Sequence, residues 1–261
     1  MALADQFDGF LIDLDGVVWI GREPVPGSPE ALSALLESGK EVAFVTNNPS
    51  RPPARYAERL REMGVEVAED RIVTAGMVTA RLAGETAGPG GSAFVIGAAA
   101  LKEMVAGTGA AVLDGEQGRA ADVVVVSGHR GFDYGELLTA KLALDAGAGL
   151  VATSHDPTMP MPGGAWPGTG AVLAAVETAS GRGAEIGGKP ERHLFEMALE
   201  AIGRPARVAM VGDRIASDIE GGRAAGLATV LVLSGSSSRE DAEAAQPPPD
   251  HVRDSLAGLL E

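Results

Sequence analysis

The chain has 261 residues, of which 45% are hydrophobic and 4% aromatic, and it carries a formal charge of −15 and no cysteine. This length suits one large domain or two modest ones with a substantial core. The negative charge argues against a nucleic-acid-binding protein and against an anionic membrane surface as a partner, and the absence of cysteine excludes disulfides and thiolate metal ligands.

The sequence also predicts a cytoplasmic protein. No apolar run reaches the roughly 18 residues that a membrane span needs, and the N-terminal stretch MALADQFDGF lacks the basic and apolar regions of a signal peptide. A phosphorylated substrate would approach against the overall negative field. Its site therefore has to supply positive charge locally, from a metal ion, a lysine or helix N-termini.

The first 82 residues alternate between predicted strands and helices. Apolar runs indicate strands at 9–13, 41–48 and 72–74, with a short extended segment at 17–20, and helices are predicted at 28–37, 52–63 and 77–82. Continuous apolar strands separated by helices are typical of a parallel sheet with helices on both faces.

Two Gly-rich segments interrupt this pattern, GETAGPGGS at 84–92 and SGRGAEIGGKP at 180–190. Between them we predict strands at 93–96, 123–127 and 150–152 and helices at 98–105, 134–146 and 169–179. After them we predict helices at 191–202 and 217–225, strands at 206–213 and 228–233, and a short helix near 255–260.

We therefore expect an α/β protein whose core is a doubly wound, Rossmann-like parallel sheet interrupted by an inserted α/β cap domain. The core comprises residues 1–82 and 183–261, and the cap comprises residues 83–182. Glycine tolerates many backbone conformations, so the two Gly-rich segments suit hinges.

Polar side chains follow several of the predicted core strands. In open α/β sheets, ligands bind at the carboxyl ends of the strands. The residues at these strand ends and at the second Gly-rich segment are Asp13, Asp15, Thr46, Asn47, Lys189, Asp213 and Asp218. Four carboxylates, a hydroxyl, an amide and one cation are thereby predicted to converge on one rim of the sheet.

This set matches phosphoryl transfer through a covalent aspartyl intermediate. Asp13, rigidly held at a strand end, would attack phosphorus. Asp15 would protonate the leaving oxygen and later deprotonate water. Thr46 and the Asn47 amide would hold phosphate oxygens.

The same set predicts a magnesium site, because Mg²⁺ prefers oxygen ligands in octahedral geometry. Asp13, the Asp15 carbonyl and Asp213 would supply ligands. Asp218 would orient a water outside the ligand shell, and Lys189 would balance charge between Asp13 and the phosphate.

The segments DLDGV, TNN, GGKP and GDRIASD, in this order, resemble the four motifs of the haloacid-dehalogenase superfamily of phosphatases. The insertion resembles a type C2 cap. DLDGVVWIGREPVPGSPEAL, FVTNNPSR and ATSHDPTMPMPGGAWPGTGAV resemble subfamily IIA, the p-nitrophenyl phosphatase-like group. The resemblance implies Mg²⁺-dependent hydrolysis of a small phosphorylated metabolite and, because members often dimerise, a homodimer.

Three positions in two segments depart from the family pattern. Thr153-Ser154-His155-Asp156 stands where members commonly read T-N-P-D, and Ser217 replaces a threonine in the fourth motif. The cap loop lies near the leaving group in C2-capped relatives. The resemblance therefore implies that His155 and Asp156 contact the substrate.

Three alternatives remain open from the sequence. The same core could carry a phosphotransferase or phosphomutase. A phospho-accepting signalling receiver uses a similar acidic cluster, although a single small domain suffices for it. A non-catalytic binding protein could also retain the fold. Phosphate release over many turnovers separates the enzyme from the last two.

Overall fold

The structure is a computed structural model that describes residues 2–161 and 164–261. The chain divides into two compact units. The first consists of Met1–Thr46, Pro52–Val73 and Lys189–Glu261, and the second consists of Asn47–Arg51 and Thr74–Gly188.

The strands are, in chain order, β1 (Gly9–Asp13), β2 (Trp19–Ile20), β3 (Glu23–Pro24), β4 (Glu41–Thr46), β5 (Ile72–Thr74), β6 (Ser92–Ile96), β7 (Ala111–Leu113), β8 (Val123–Val126), β9 (Gly149–Ala152), β10 (Thr158–Met161), β11 (Gly164–Pro167), β12 (Glu185–Ile186), β13 (Val208–Gly212), β14 (Ala228–Val232) and β15 (His251–Arg253).

The α-helices are α1 (Ser28–Glu37), α2 (Pro53–Glu62), α3 (Ala75–Ala87), α4 (Ala99–Gly107), α5 (Tyr134–Asp145), α6 (Thr169–Ser180), α7 (Arg192–Ala201), α8 (Glu220–Ala224) and α9 (Arg239–Ala244). Shorter 3₁₀ helices lie at Leu3–Gln6, Glu69–Arg71, Gly115–Ala120 and Leu256–Leu260, and a π-helical turn lies at Ile215–Ile219.

The first unit is built on a sheet with strand order β15-β14-β13-β1-β4-β5. Strand β1 pairs in parallel with β4 and β13, and β14 pairs in parallel with β13 and β15. All five residues of β1 and all five of β13 are buried, as continuous apolar strands covered on both faces require. The predicted α/β fold class with a parallel-sheet core is confirmed.

The second unit contains its own sheet, with strand order β12-β9-β8-β6-β7 and parallel pairing throughout. Its central strand β8 consists of four buried valines, and helices α5 and α6 contribute apolar side chains to the same core. Strands β10 and β11 form a separate antiparallel pair.

Helix α3 corrects the prediction of a helix ending at residue 82. It continues to Ala87, through the first residues of the Gly-rich segment 84–92. A Cβ at Gly84 would lie 2.8 Å from the hydroxyl of Thr108, so this glycine permits close packing rather than a turn. The predicted boundary between residues 82 and 83 falls inside this helix, which belongs to the second unit.

No helix in the described parts of the chain is both long enough and apolar enough to cross a membrane.

Candidate active site

Three neighbouring strands of the first unit end in polar side chains. Asp13 is the last residue of β1, Thr46 is the last residue of β4, and Asp213 directly follows β13. Because β1 lies between β4 and β13 and pairs in parallel with both, the three carboxyl ends meet at one edge of the sheet. All three side chains are buried, so the strand register fixes them rigidly.

Lys189 joins this edge from far along the chain. Its Nζ lies 2.5 Å from Oδ1 of Asp13 and 2.7 Å from Oδ1 of Asp218. The lysine is only 4% exposed and Asp218 is fully buried. A buried ammonium shared by two carboxylates is an ion-pair network whose members depend on one another, because each charge left alone would be costly to bury.

Asp218 is held by a π-helical turn, where the sequence predicted an ordinary helix over 217–225. Its Oδ2 accepts hydrogen bonds from the backbone N–H groups of Asp213, at 3.1 Å, and Arg214, at 3.0 Å. The wider turn at Ile215–Ile219 folds the side chain back toward β13. A Cβ at Gly212 would lie 2.2 Å from that of Asp218, so this approach requires glycine. Single π-turns are frequent at functional sites.

Among the described residues, the carboxylate of Asp213 is hydrogen-bonded through one of its two oxygens. Its Oδ2 accepts a hydrogen bond from the backbone N–H of Ser236 at 2.7 Å. Its Oδ1 is buried and has no hydrogen-bond partner among the residues that the structure describes. A buried acceptor without a partner is costly, and such an atom in a native site calls for an explanation.

A divalent cation bound to Oδ1 of Asp213 would give this buried oxygen a partner. Asp13, Asp213 and Asp218 each offer a carboxylate oxygen, and these oxygens lie within 4.8 Å of one another. Three carboxylates with one lysine leave an excess of negative charge in a buried place. An all-oxygen donor set of this kind fits a hard cation such as Mg²⁺.

The charges shift one another's protonation. Burial raises the pKa of Asp13 well above its ordinary value, and the carboxylates of Asp218 and Asp213 add to this against the opposing effect of Lys189. Burial raises the pKa of Asp213 as well, reinforced by Asp218 and opposed by the hydrogen bond from Ser236. Although burial alone would lower the pKa of Lys189, Asp13 and Asp218 raise it, so the lysine remains charged.

Asp15 lies in the turn after β1 and is exposed. Its Oδ1 accepts a hydrogen bond from Nε1 of Trp19 at 2.9 Å. The next residue, Gly16, has a φ of +91°, and a Cβ there would lie 2.5 Å from Oδ2 of Asp213. Glycine is therefore required both by the turn and by the close approach of the Asp213 carboxylate.

The remaining predicted residues belong to the second unit. Nδ2 of Asn47 donates a hydrogen bond to Oδ2 of Asp156 at 3.2 Å, so the structure brings these two together. The backbone N–H of Asp156 donates to the hydroxyl of buried Ser154, and His155 is exposed. The roles of Asn47, His155 and Asp156 toward phosphate and substrate remain predictions.

The segment 234–238, SGSSS, also contacts this site, and no sequence motif indicated it. The hydroxyl of Ser234 donates to the carbonyl of Gly16 at 2.7 Å, and Ser236 binds Asp213. A Cβ at Gly235 would lie 2.1 Å from Oδ2 of Asp213. The available signal was its place directly after the carboxyl end of an apolar strand.

Comparisons with known proteins agree with this geometry. A family model described as haloacid dehalogenase-like hydrolase matches residues 10–111, and a second model of HAD-like hydrolases matches residues 186–259. The chain is 38% identical to glycerol-3-phosphate phosphatase of Gallus gallus over 289 residues, covering 99% of this chain and 93% of that protein.

Solved structures are similar along the whole chain. The glycerol phosphate phosphatase of Mycobacterium tuberculosis in complex with magnesium superposes with a TM-score of 0.92 at 35% identity, covering 100% of this chain and 78% of that one. A p-nitrophenyl phosphatase from Archaeoglobus fulgidus superposes with a TM-score of 0.90 at 34% identity, covering 98% of both chains.

Proposed function

This chain belongs to the haloacid dehalogenase-like hydrolases, and we propose that it hydrolyses the phosphate monoester of a small metabolite with Asp13 as nucleophile and Mg²⁺ as cofactor. The observation that carries this proposal is the buried cluster of Asp13, Asp213 and Asp218 around Lys189, with one oxygen of Asp213 left without a partner. Its relatives named above are phosphatases.

In the first step, a carboxylate oxygen of Asp13 attacks phosphorus and forms a new P–O bond. The bond from phosphorus to the substrate oxygen breaks, and that oxygen takes a proton from Asp15. In the second step, a water oxygen attacks phosphorus and gives its proton to Asp15. The bond from phosphorus to Asp13 breaks, inorganic phosphate leaves, and both side chains return to their starting state.

Lys189 keeps Asp13 in place as a charged nucleophile and adds positive charge beside the phosphoryl oxygens. Oδ1 of Asp218 pairs with the ammonium of Lys189, and Oδ2 of Asp218 accepts hydrogen bonds from the backbone N–H groups of Asp213 and Arg214. Asp13 and Asp213 would hold Mg²⁺, which would neutralise charge on the phosphoryl oxygens and orient them. We assign the carbonyl oxygen of Asp15 as a further Mg²⁺ ligand. We assign the hydroxyl of Thr46 to binding of the phosphate.

The substrate we propose is an alkyl phosphate of the glycerol phosphate type, because relatives from both birds and bacteria are named for glycerol phosphate. Phosphate binding by the Asn47 amide and substrate contacts by His155 and Asp156 are part of the proposal. Replacing His155 and Asp156 together by alanine should then change kcat/KM for the true substrate.

We further propose a cytoplasmic homodimer. The absence of cysteine suits a reducing compartment. Helix α5 carries three exposed apolar side chains at a spacing of four residues, Tyr134, Leu138 and Leu142, which form one apolar stripe. Light scattering of the wild-type protein and of Leu138→Lys tests the oligomeric state, since the variant should be monomeric if this stripe is the dimer interface.

The direct test is release of inorganic phosphate from a panel of phosphate monoesters, with Mg²⁺ or with EDTA. We expect many turnovers per enzyme with Mg²⁺, and none in EDTA or in Asp13→Asn, whose amide is a poor nucleophile. Labelling of one equivalent without turnover would instead identify a phospho-accepting protein. If no monoester in the panel releases inorganic phosphate in a Mg²⁺-dependent way, the proposed function is overturned.

A further inference from the structure

The carboxyl group of Asp15 has a defined partner, although it lies at the surface. Its Oδ1 accepts a hydrogen bond of 2.9 Å from Nε1 of Trp19. Trp19 itself is only 1% exposed, so the donor comes from a fixed, buried ring. An exposed aspartate otherwise exchanges among several rotamers within nanoseconds. The indole therefore selects one orientation of a side chain that would otherwise be mobile.

The indole ring is itself held by two neighbours from helix α2. The ring of Tyr56 is parallel to it, with centroids 6.4 Å apart and an interplanar angle of 2°. The guanidinium carbon of Arg59 lies 3.9 Å from the centroid of the Trp19 ring, and Nη2 of Arg59 donates to the carbonyl of Gly21 at 2.7 Å. These contacts restrict rotation of the indole and keep its N–H directed at Asp15.

The backbone closes the same turn. The N–H of Gly16 donates to the carbonyl of Trp19 at 2.7 Å, and the N–H of Val18 donates to the carbonyl of Leu14 at 2.9 Å. Trp19 thus contacts the turn twice, through its carbonyl at Gly16 and through its ring at Asp15. The distance from the indole to Asp15 is consequently set by the fold of the turn.

We propose that Trp19 is a positioning residue for Asp15, which fixes the carboxyl group for proton transfer to the leaving oxygen. An indole N–H only donates, so it holds Oδ1 as an acceptor and directs the transferable proton to Oδ2. When the P–O bond to the leaving group breaks and the bond to Asp13 forms, this proton moves from Oδ2 of Asp15 to the leaving oxygen. The inference rests on the proposed function, because it needs Asp15 as the general acid.

The test compares two leaving groups in the full-length protein with saturating Mg²⁺. The alkoxide that leaves glycerol 3-phosphate, or any other alkyl phosphate that the wild type hydrolyses, needs a proton, whereas p-nitrophenolate leaves without one. In Trp19→Phe, which keeps a ring and loses the donor, we expect kcat/KM for the alkyl phosphate to fall about 10- to 100-fold. For p-nitrophenyl phosphate we expect a change below about threefold.

Tyr56→Phe is the matched control, because it keeps the ring stacked on the indole and leaves the indole donor in place. It should affect both substrates equally. Should Trp19→Phe fail to fold, Arg59→Met, which removes the cation over the indole, should show the same selectivity at about threefold. Asp15→Asn and the double variant that combines it with Trp19→Phe should have the same kcat/KM for each substrate, since Trp19 acts through Asp15.

Equal losses on both substrates in Trp19→Phe, or a further loss in the double variant, would overturn the positioning role. A wild-type protein that releases no phosphate from either ester would overturn the proposed function instead, so the two failures are distinguishable.

Discussion

The ammonium of Lys189 lies 2.5 Å from Oδ1 of Asp13, although the two residues are 176 positions apart in the chain. Both side chains are buried, and the same ammonium reaches Asp218 at 2.7 Å. The contact joins the first strand of the chain to the start of its last third within one compact unit. A single buried cation therefore connects Asp13 to the π-helical turn that carries Asp218.

Replacing Lys189 by Met should impair both catalysis and folding. We expect kcat to fall by at least about 10²-fold, because a charge-stabilising group beside the reacting phosphoryl is lost. Unpaired buried carboxylates should cost about 3–5 kcal/mol in the free energy of unfolding, measured by urea denaturation in EDTA.

Lys189→Met combined with Asp218→Asn separates the two effects. The double variant should regain part of the free energy of unfolding, because one unpaired charge is gone, and should remain inactive. Recovery of activity in the double variant would contradict the role of Lys189 in catalysis.

Replacing Asp213 by Asn should abolish metal-dependent stabilisation. A ligand present at 100 times its dissociation constant stabilises the native state by about 2.7 kcal/mol, so Mg²⁺ should raise the Tm of the wild type. Asp213→Asn should lose this rise, because the buried oxygen without a partner is the one we assign to the ion.

Asp114→Asn is the control for the loss of one negative charge, since Asp114 is exposed in an ion pair with Lys102. Its Tm should still rise with Mg²⁺. If calorimetric titration showed that Asp213→Asn binds Mg²⁺ with the affinity of the wild type, this result would argue against a ligand role for the Asp213 carboxylate.

Replacing Gly235 by Ala should weaken Mg²⁺ binding although no metal ligand is itself replaced. The added Cβ would lie 2.1 Å from Oδ2 of Asp213, so the carboxylate has to move. We expect the Mg²⁺ concentration for half-maximal activity to rise about 10- to 100-fold, as for other residues that orient a metal ligand. Gly107→Ala, whose Cβ would meet no atom within 4 Å, should leave this concentration unchanged.

The core of this site follows from sequence because apolar runs end directly at its residues. Asp13, Thr46 and Asp213 each stand where a strand stops, and parallel pairing places such ends at one edge. The pairing of Lys189 with Asp218 could not be foreseen, because it depends on a π-helical turn that ordinary helical periodicity does not predict.

Other features escaped because their signals are tertiary. Strands β10 and β11 both contain proline, which usually argues against a strand, and they are only four residues long. The extension of α3 across Gly84 depends on close packing against Thr108, which compensates for the poor helix propensity of glycine. The bond between Asn47 and Asp156 joins residues 109 positions apart.

Asp250 should make folding sensitive to acid. Its Oδ2 accepts hydrogen bonds of 2.8 Å from both the N–H and the hydroxyl of Thr229, at the start of β14. Burial alone would raise the pKa of Asp250, but these hydrogen bonds outweigh it and lower the pKa below its ordinary value of 3.8. A carboxylate with a lowered pKa stabilises the native state above its unfolded pKa, and this stabilisation is lost as the pH falls through the folded value.

Asp250→Asn should therefore unfold more easily than the wild type by a constant amount between about pH 5 and 8, of order 1 kcal/mol or less for so exposed a group. The difference should shrink below about pH 4, where the wild-type carboxyl also becomes neutral. Urea denaturation at a series of pH values measures it, with exposed Asp114→Asn as the control. A difference that stays constant down to pH 2 would show that the native state gains nothing from the charge of Asp250, because a purely structural loss does not titrate.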